Sequence, residues 1–357
     1  MTLRILLVEP YGAEALRGNS VSTARIALWL ESAGHRVQRL VASKASLAES
    51  QRVVAEGAFD VVHAIHAFRS GPLAREVAAV GRVPLVVSFR GTDAASGLED
   101  PRLRPHVEAS VRSAAAVTTL TEDQAARVRS AFPGLAAPVL VVSHGVDVTG
   151  PRDAGVLAFL GITPGAPVVS HVAGIRSEKG FPGAWTLMDR ARAALPSIRY
   201  VHAGPLIDPA MGAEAERWFG ARPWAARLGA VSRERALDVM AASTCSLQTS
   251  TVEGMSNALL ESMVLGTPVV ARDIPASRAA IDDGVTGLLF HTQAQGVAAM
   301  ERLTSDRAFA LALAGRAAAS AAKRFTSSAE TAGYLRAYDL ARGGAPGTGS
   351  ATRVRRG

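Results

Sequence analysis

Several features that would settle the chemistry at a glance are missing from this sequence. It has one cysteine, Cys245, in 357 residues, which excludes an internal disulfide framework and a thiolate cluster for zinc. The surrounding TCSLQTS reads as a short strand in which a lone cysteine serves as a small core residue. Lysine occurs only at Lys44, Lys179 and Lys323, so the net charge of +8 rests on arginine scattered through an alanine-rich chain. Such scatter describes a solvated surface and not a binding stripe, and no nucleic-acid partner is expected. The positive field still favours small anionic molecules. No window approaches the roughly 18 consecutive apolar residues of a membrane span. The opening MTLRILLVEPYG has one arginine, a short apolar run, then Pro and Gly. It suits a first buried strand better than a signal peptide, so a cytoplasmic protein is expected. Neither G-x-G-x-x-G nor a Walker loop is present, which weakens nicotinamide and P-loop readings.

What is present is organised. Nearly half of the residues are apolar, and the length suits roughly two globular domains. Short β-branched runs alternate with helix-sized segments, the pattern of parallel sheets with crossover helices. The first half offers RILLVEP, HRVQRLVA, FDVVHAIH, PLVVSFRG, AAVTTLT and PVLVVSHG. After a Gly- and Pro-containing stretch the pattern restarts with PVVSHVAG, IRYVHAGP, AARLGA, CSLQTS, TPVVARD and GLLF. The expected fold class is α/β, with two doubly wound Rossmann-like domains facing a cleft. The expected division is 1–147, 148–324, a helix at 325–342 packing back on the first domain, and a disordered tail at 343–357.

Ligands of open α/β sheets bind beyond the carboxyl ends of strands, so the loops after strands are where chemistry is sought. Gly18, Asn19 and Ser20 precede a helix after the first strand, where outward N–H groups and the dipole suit a phosphate; Ser20 or Ser22 capping an ordinary helix is the competing reading. In HVAGIRSEKGFPG, Arg176 and Lys179 place two cations over a strand end, suited to a diphosphate. Glu253 and Glu261 lie eight positions apart, the first in a Gly-containing turn and the second within the apolar run SNALLESMVLG. Eight residues of helix span roughly 12 Å, too far for two carboxylates to share a proton or flank one glycosidic bond. The two acids therefore do separate jobs, and a carboxylate accepts well from vicinal hydroxyls. His63 and His66 are read as sharing one face of the third strand, where a metal reading lacks a third ligand. Arg69, Arg90, Asp93 and His66 are further polar candidates near strand ends of the first half.

The chain resembles the family 4 retaining glycosyltransferases of GT-B fold, over nearly its whole length to about residue 325. The resemblance rests on the E-x7-E pair Glu253 and Glu261, GMSNALLESM around it, GTPVVARDIP, DGVTGLLF and the HGVD at the domain junction. It implies that Glu261 holds a nucleotide ribose and Glu253 the donor-sugar hydroxyls. Lys179 and Arg176 would bind the diphosphate, approached from the other domain by Gly18 and Asn19. Gly254, Met255, Ser256, Asn257, Gly204 and Val231 complete the implied donor site, and Glu253, Arg176, Lys179 and His66 the implied catalytic set; Glu253, His66, Arg69, Arg90 and Asp93 are the candidates for the sugar and acceptor side. This sequence departs from the family at Gly174, where the usual diphosphate arginine stands, at Arg90, which replaces a histidine, and at His144, which replaces an asparagine. GNSVSTARIALWLESAGH, IHAFRSG, RGTDAAS and GPLIDPAM are similar to a subgroup containing bacterial selenosugar synthases and animal glycosyltransferase-1-domain-containing proteins.

These resemblances imply retaining transfer from an NDP-sugar, UDP-linked and exemplified by UDP-N-acetylglucosamine, to a small acceptor. C–Se or C–S bond formation from selenophosphate or thiophosphate is the alternative, and a sugar-nucleotide epimerase or hydrolase a further one. No cofactor is expected beyond the donor, whose product is UDP. With D-x-D absent, cationic side chains are expected in place of a bridging metal. The expected partners are small-molecule substrates, and a homodimer is left open.

Overall fold

The computed structural model describes residues 1–12, 18–153 and 155–343. The side chains at 18 and 19, and residues 344–357 of the expected tail, lie outside the described residues. Each of the twelve runs carries a strand. The first six are β1 (Arg4–Glu9), β2 (Arg36–Val41), β3 (Val61–Ile65), β4 (Leu85–Ser88), β5 (Ala116–Thr119) and β6 (Val139–Val141). The second six are β7 (Val168–Val172), β8 (Arg199–Ala203), β9 (Ala225–Arg227), β10 (Cys245–Gln248), β11 (Val269–Arg272) and β12 (Leu288–Phe290). They form two parallel sheets of order β2-β1-β3-β4-β5-β6 and β12-β11-β10-β7-β8-β9.

That order positions the site. The chain moves outward from β1 to β2, then returns to place β3 on the other side of β1; β7 and β10 repeat the device in the second sheet. Crossover connections leave from opposite faces at such a point, so the loops after the two central strands part and open a crevice. Gly18 follows β1, His66 and Arg69 follow β3, Arg176 and Lys179 follow β7, and Glu253 follows β10.

The strands read as continuous apolar runs because helices cover both faces. Along β1, Leu6 and Val8 enter one core cluster while Ile5 and Leu7 enter another, as period-two alternation demands. Full burial of each such side chain contributes about 1.5–3 kcal/mol. The helix Ser327–Ala341 lies on the first sheet with Tyr334 and Tyr338 fully buried. Thr326 caps it by accepting from the Ala329 amide at 3.1 Å. The polypeptide therefore crosses between lobes twice, and the crossings are joined where the Val146 amide donates to the Phe325 carbonyl at 2.8 Å.

The shared-face reading of His63 and His66 is corrected. An odd separation on a strand puts side chains on opposite faces, and His66 has already left β3 with φ +126°. His63 is a core residue, its ring nitrogens 2.8 Å from the Tyr338 hydroxyl and 2.7 Å from Ser88 Oγ. Burial, with the charge of Arg90 adding to it, pushes its pKa down to about 3.

Candidate functional site

The second-lobe half of the site is two loops stitched into one unit. Lys179 lies at the end of a short 3₁₀ turn after β7, and its ammonium donates to the Glu253 carboxylate. Thr249 Oγ1 donates to the Lys179 carbonyl at 2.7 Å, and the Thr251 amide donates to the Glu178 carbonyl at 2.9 Å. Gly180 makes this approach feasible: with φ +80°, a Cβ there would stand 2.1 Å from the Thr249 carbonyl oxygen. Ser250 Oγ donates to Glu253 Oε2 at 3.2 Å. Burial would raise the Glu253 pKa, but the charge and hydrogen bond of Lys179, followed by Arg176 and Ser250, bring it below the ordinary carboxylate value. The result is a buried carboxylate held ionised.

Directly after Glu253 the chain enters the helix Asn257–Val264. Ser256 caps it, accepting from the Leu259 amide at 3.3 Å and donating to Gln248 Oε1 at 3.1 Å. The first N–H groups of a helix have no intrahelical partner and carry its positive pole, so this end suits an anion. Gly254 meets the first lobe here, since a Cβ would lie 2.1 Å from the Arg90 carbonyl oxygen. Met255 is buried in the lobe-junction cluster with Leu120 and Val146, which leaves its backbone as its polar offering.

Glu261 lies within the same helix and receives Arg233 Nε at 2.8 Å. Burial raises its pKa, opposed by Arg233 and Arg25. Arg233 also donates to the Asp147 carbonyl at 2.7 Å, tying the interlobe connection to this acid. Sequence reasoning missed Arg233, because SRERALD reads as an exposed helix start. Arg176 is half-buried beside the loop, 3.9 Å from Glu178, with its Nε buried and without a hydrogen-bond partner. Gly204 adopts φ +152° where a Cβ would stand 2.0 Å from the Ala173 carbonyl oxygen, so its glycine identity answers a close backbone approach between the β7 and β8 loops. Val231 is half-buried just before the helix Arg233–Ala241, and Gly18 opens the first helix, Gly18–Ser32.

On the first lobe, the candidates separate. His66 is buried, with Nε2 3.1 Å from Thr92 Oγ1 and Nδ1 3.4 Å from Asp93 Oδ2. Its pKa falls to about 4 through burial, against the pull of Asp93, so the ring is neutral at pH 7. Its φ of +126° is a strained backbone for a non-glycine residue, at a cost of about 1–3 kcal/mol that the surrounding packing must hold. Arg69 is exposed, lying over the rings of Tyr11 and Phe68 and donating to the Tyr11 hydroxyl.

Arg90 and Asp93 depart from the acceptor-facing expectation. The Arg90 guanidinium is buried at the lobe junction, donating to the Tyr334 hydroxyl at 2.9 Å and lying 2.6 Å from His144 Nε2. Asp93 is fully buried: its Oδ1 accepts from the amides of Arg90, Gly91 and Ala94, and its Oδ2 from that of Ala67. It organises two loops and has no free edge for a substrate. Between the lobes, an open recess is bounded by Gly91, Thr121, Asp123, Arg127, Thr251 and Glu253, among others. Among the described residues no group of three or more His, Cys, Asp or Glu is arranged to hold a metal ion. Nor is any described helix long and apolar enough to cross a membrane.

Comparison with known proteins agrees with this architecture. Residues 3–145 match the glycosyl transferase 4-like domain and residues 166–306 the glycosyl transferases group 1 family. A D-inositol 3-phosphate glycosyltransferase of Mycobacterium marinum is 30% identical over 325 residues, 85% of this chain and 68% of that protein. Glycosyltransferase 1 domain-containing protein 1 of Xenopus tropicalis is 25% identical over 305 residues, 81% and 84% of the two chains. Among solved structures, Anabaena HepE in complex with UDP and glucose superposes with a TM-score of 0.78 over 93% of this chain and 98% of that one, at 20% identity. Sucrose-phosphate synthase of Thermosynechococcus elongatus gives 0.79 over 94% and 98%, at 16% identity.

Two opposed doubly wound lobes define the GT-B class of fold. The chain belongs to the group 1, 4-like glycosyltransferase family, and it is a glycosyltransferase.

Proposed function

We propose that this glycosyltransferase moves a hexosyl unit from a UDP-linked sugar to a small phosphorylated acceptor, with retention at the anomeric carbon. The observation that carries the reading is the convergence of Lys179, Glu253 and the start of the helix Asn257–Val264 on one point of the crevice. HepE, of the same fold, is described in complex with UDP-glucose. Glu261, steadied by Arg233, accepts from the ribose hydroxyls. Glu253, kept ionised, accepts from hydroxyls of the transferred sugar.

In the transfer, an acceptor oxygen attacks the anomeric carbon from the face the diphosphate leaves. The carbon–oxygen bond to the diphosphate breaks with its electron pair, and the acceptor proton passes to the departing phosphate oxygen. Lys179, Arg176 and the helix N–H groups neutralise the growing charge, a role worth roughly 10²–10³ in rate for one well-placed donor. Since these groups replace a bridging cation, turnover persists in EDTA.

What supports this acceptor class is Arg69, an exposed guanidinium in the turn after β3 that lies over two aromatic rings. Relatives are named for D-inositol 3-phosphate glycosylation and for alpha-maltose-1-phosphate synthesis, both involving phosphorylated compounds. Selenophosphate and thiophosphate belong to the same anionic class, and the similarity to an animal glycosyltransferase-1-domain protein keeps them in the test.

The experiment is a mass-spectrometric screen. UDP-glucose and UDP-N-acetylglucosamine are each paired with inositol phosphate, glucose 1-phosphate, selenophosphate, thiophosphate and neutral polyols. A new product mass with a phosphorylated partner, and retained configuration by NMR coupling, is the expected result. Steady UDP release without any acceptor would replace this reading with a hydrolase or epimerase.

A further inference from the structure

Behind the donor site lies a buried polar network that the transfer chemistry does not use. Arg25, on the first helix, donates Nη1 to Asn257 Oδ1 at 3.1 Å and Nη2 to Glu330 Oε2 at 3.3 Å. Asn257 is the first residue of the helix whose N-terminus faces the crevice. Its Nδ2 donates in turn to Ser22 Oγ at 3.3 Å. Ser22 and Arg25 are three apart on one helix and so share a face, and both grip the same second-lobe amide.

Glu330 ties this grip to the lobe connection. Its Oε2 also accepts from the Gly145 amide at 2.8 Å, within the first interlobe crossing. Its own helix begins immediately after the second crossing. One fully buried carboxylate oxygen thus joins the first helix, both crossings and, through Arg25, the donor-site helix. The surroundings leave no room for slack: a Cβ on Gly145 would stand 2.6 Å from the Thr326 carbonyl oxygen and 2.8 Å from Trp29. The Arg25 guanidinium lies 5.1 Å from the Trp29 ring. The network has two guanidiniums, Arg25 and Arg90, for one carboxylate. Burial and the two arginine charges drive His144 well below its usual pKa, so it adds no positive charge near neutrality.

We propose that Arg25 and Glu330 are positioning residues that register the two lobes. They hold the N-terminus of the Asn257–Val264 helix, and with it the diphosphate end of the donor site, at a set separation from the first lobe. The proposal deepens the donor reading given above and rests on it for the ligand, though not for the lobe geometry. Guanidinium geometry is essential, because one planar fork reaches Asn257 and Glu330 together while an ammonium is a single point charge.

The test uses the full chain with spin labels at Val80→Cys and Leu311→Cys, exposed positions on the first and second lobes. UDP is the calorimetric probe. Arg25→Lys keeps a cation beside Glu330 but gives up the bridge. It should broaden the interlobe distance distribution and weaken UDP binding about tenfold, the effect of one lost charge-assisted hydrogen bond, with little change in melting temperature. Glu330→Gln should broaden the distribution similarly. Asn257→Ala should also weaken UDP, and the double variant Arg25→Lys with Asn257→Ala should be no worse than the weaker single one, the mark of a shared interaction. Additive losses, or distance distributions unchanged in every folded variant, would overturn the proposal. A wild-type chain that bound no UDP would refute the donor reading instead, and the distance measurement would then decide the registration device by itself.

Discussion

Replacing Lys179 with methionine separates what the central ion pair does for stability from what it does for transfer. Lys179 and Glu253 are only 16% and 17% exposed. Removing the cation strands a carboxylate supported by Ser250 at 3.2 Å and by the more distant charge of Arg176. Breaking a fully buried pair costs about 3–5 kcal/mol, and the residual solvent contact discounts this to about 2 kcal/mol. For a lobe of this size, that is a fall of roughly 4–8 °C in melting temperature. The pH dependence has a definite sign. In the wild type the Glu253 pKa is depressed, so its contribution is present above the unfolded carboxylate value and fades as pH falls through the folded one. Without Lys179 burial raises that pKa, and protonation then relieves the variant. The melting-temperature gap should therefore narrow as pH drops toward about 4. Adding Glu253→Gln should recover much of the stability while UDP formation from the donor stays down by roughly 10²–10³. Scanning calorimetry across pH, with turnover measured on the acceptor the screen identifies, tests both halves. A gap that widened in acid, or a Lys179→Met enzyme within about threefold of wild-type turnover, would refute the reasoning.

Three other perturbations have clear expectations. Gly254→Ala places a methyl 2.1 Å from the Arg90 carbonyl oxygen; overpacking there should cost about 1–3 kcal/mol and lower UDP affinity, read by melting temperature and calorimetry. Asp93→Ala strands the amides of Ala67, Arg90 and Gly91, while that of Ala94 keeps the Gly91 carbonyl at 3.0 Å; at about 1 kcal/mol or more per buried donor, urea unfolding should show a loss of about 3 kcal/mol or more, with Asp93→Asn milder. His63, His66 and His202 are buried and neutral, with pKa values lowered by burial to about 3, 4 and 4. The unfolded chain binds protons first, so stability should decline as pH falls below about 6.5, by up to ~1.4 kcal/mol per pH unit per histidine, and this shows as a steep acid limb in urea midpoints.

Legibility in the sequence followed the range of the interactions. The strands were readable because a β-branched run bounded by Gly or Pro is a local signal, and twelve of them in two arrays imply two sheets. Glu253 and Lys179 were readable as candidates because each stands in a short loop after a central strand. That they touch each other was not, since 74 residues separate them. Arg90 misled for the same reason. In VVSFRGTD it reads as a cation presented at a strand end, yet its partner is Tyr334, 244 residues away. Arg233, Arg25 and Glu330 carry no motif at all and look like ordinary helix-surface charges; Arg233 finds Glu261 when two helices of the second lobe pack, and Arg25 and Glu330 meet only when the lobes are assembled.

By itself, then, the amino-acid order determined the alternation of strand and helix, the two doubly wound arrays and the loops that bear reactive side chains. These depend on backbone preference and on hydrophobic periodicity over a few residues. The tertiary structure decided which charges meet. Burial removes the water that would otherwise screen them, so Lys179 commits to Glu253, Arg233 to Glu261, and Arg90 and Arg25 to the junction between lobes. The first two pairings join segments of the second lobe 74 and 28 residues apart, whereas Arg25 and Arg90 reach Asn257, Glu330 and Tyr334 only where the C-terminal helix lies on the first sheet and the second lobe stands against it.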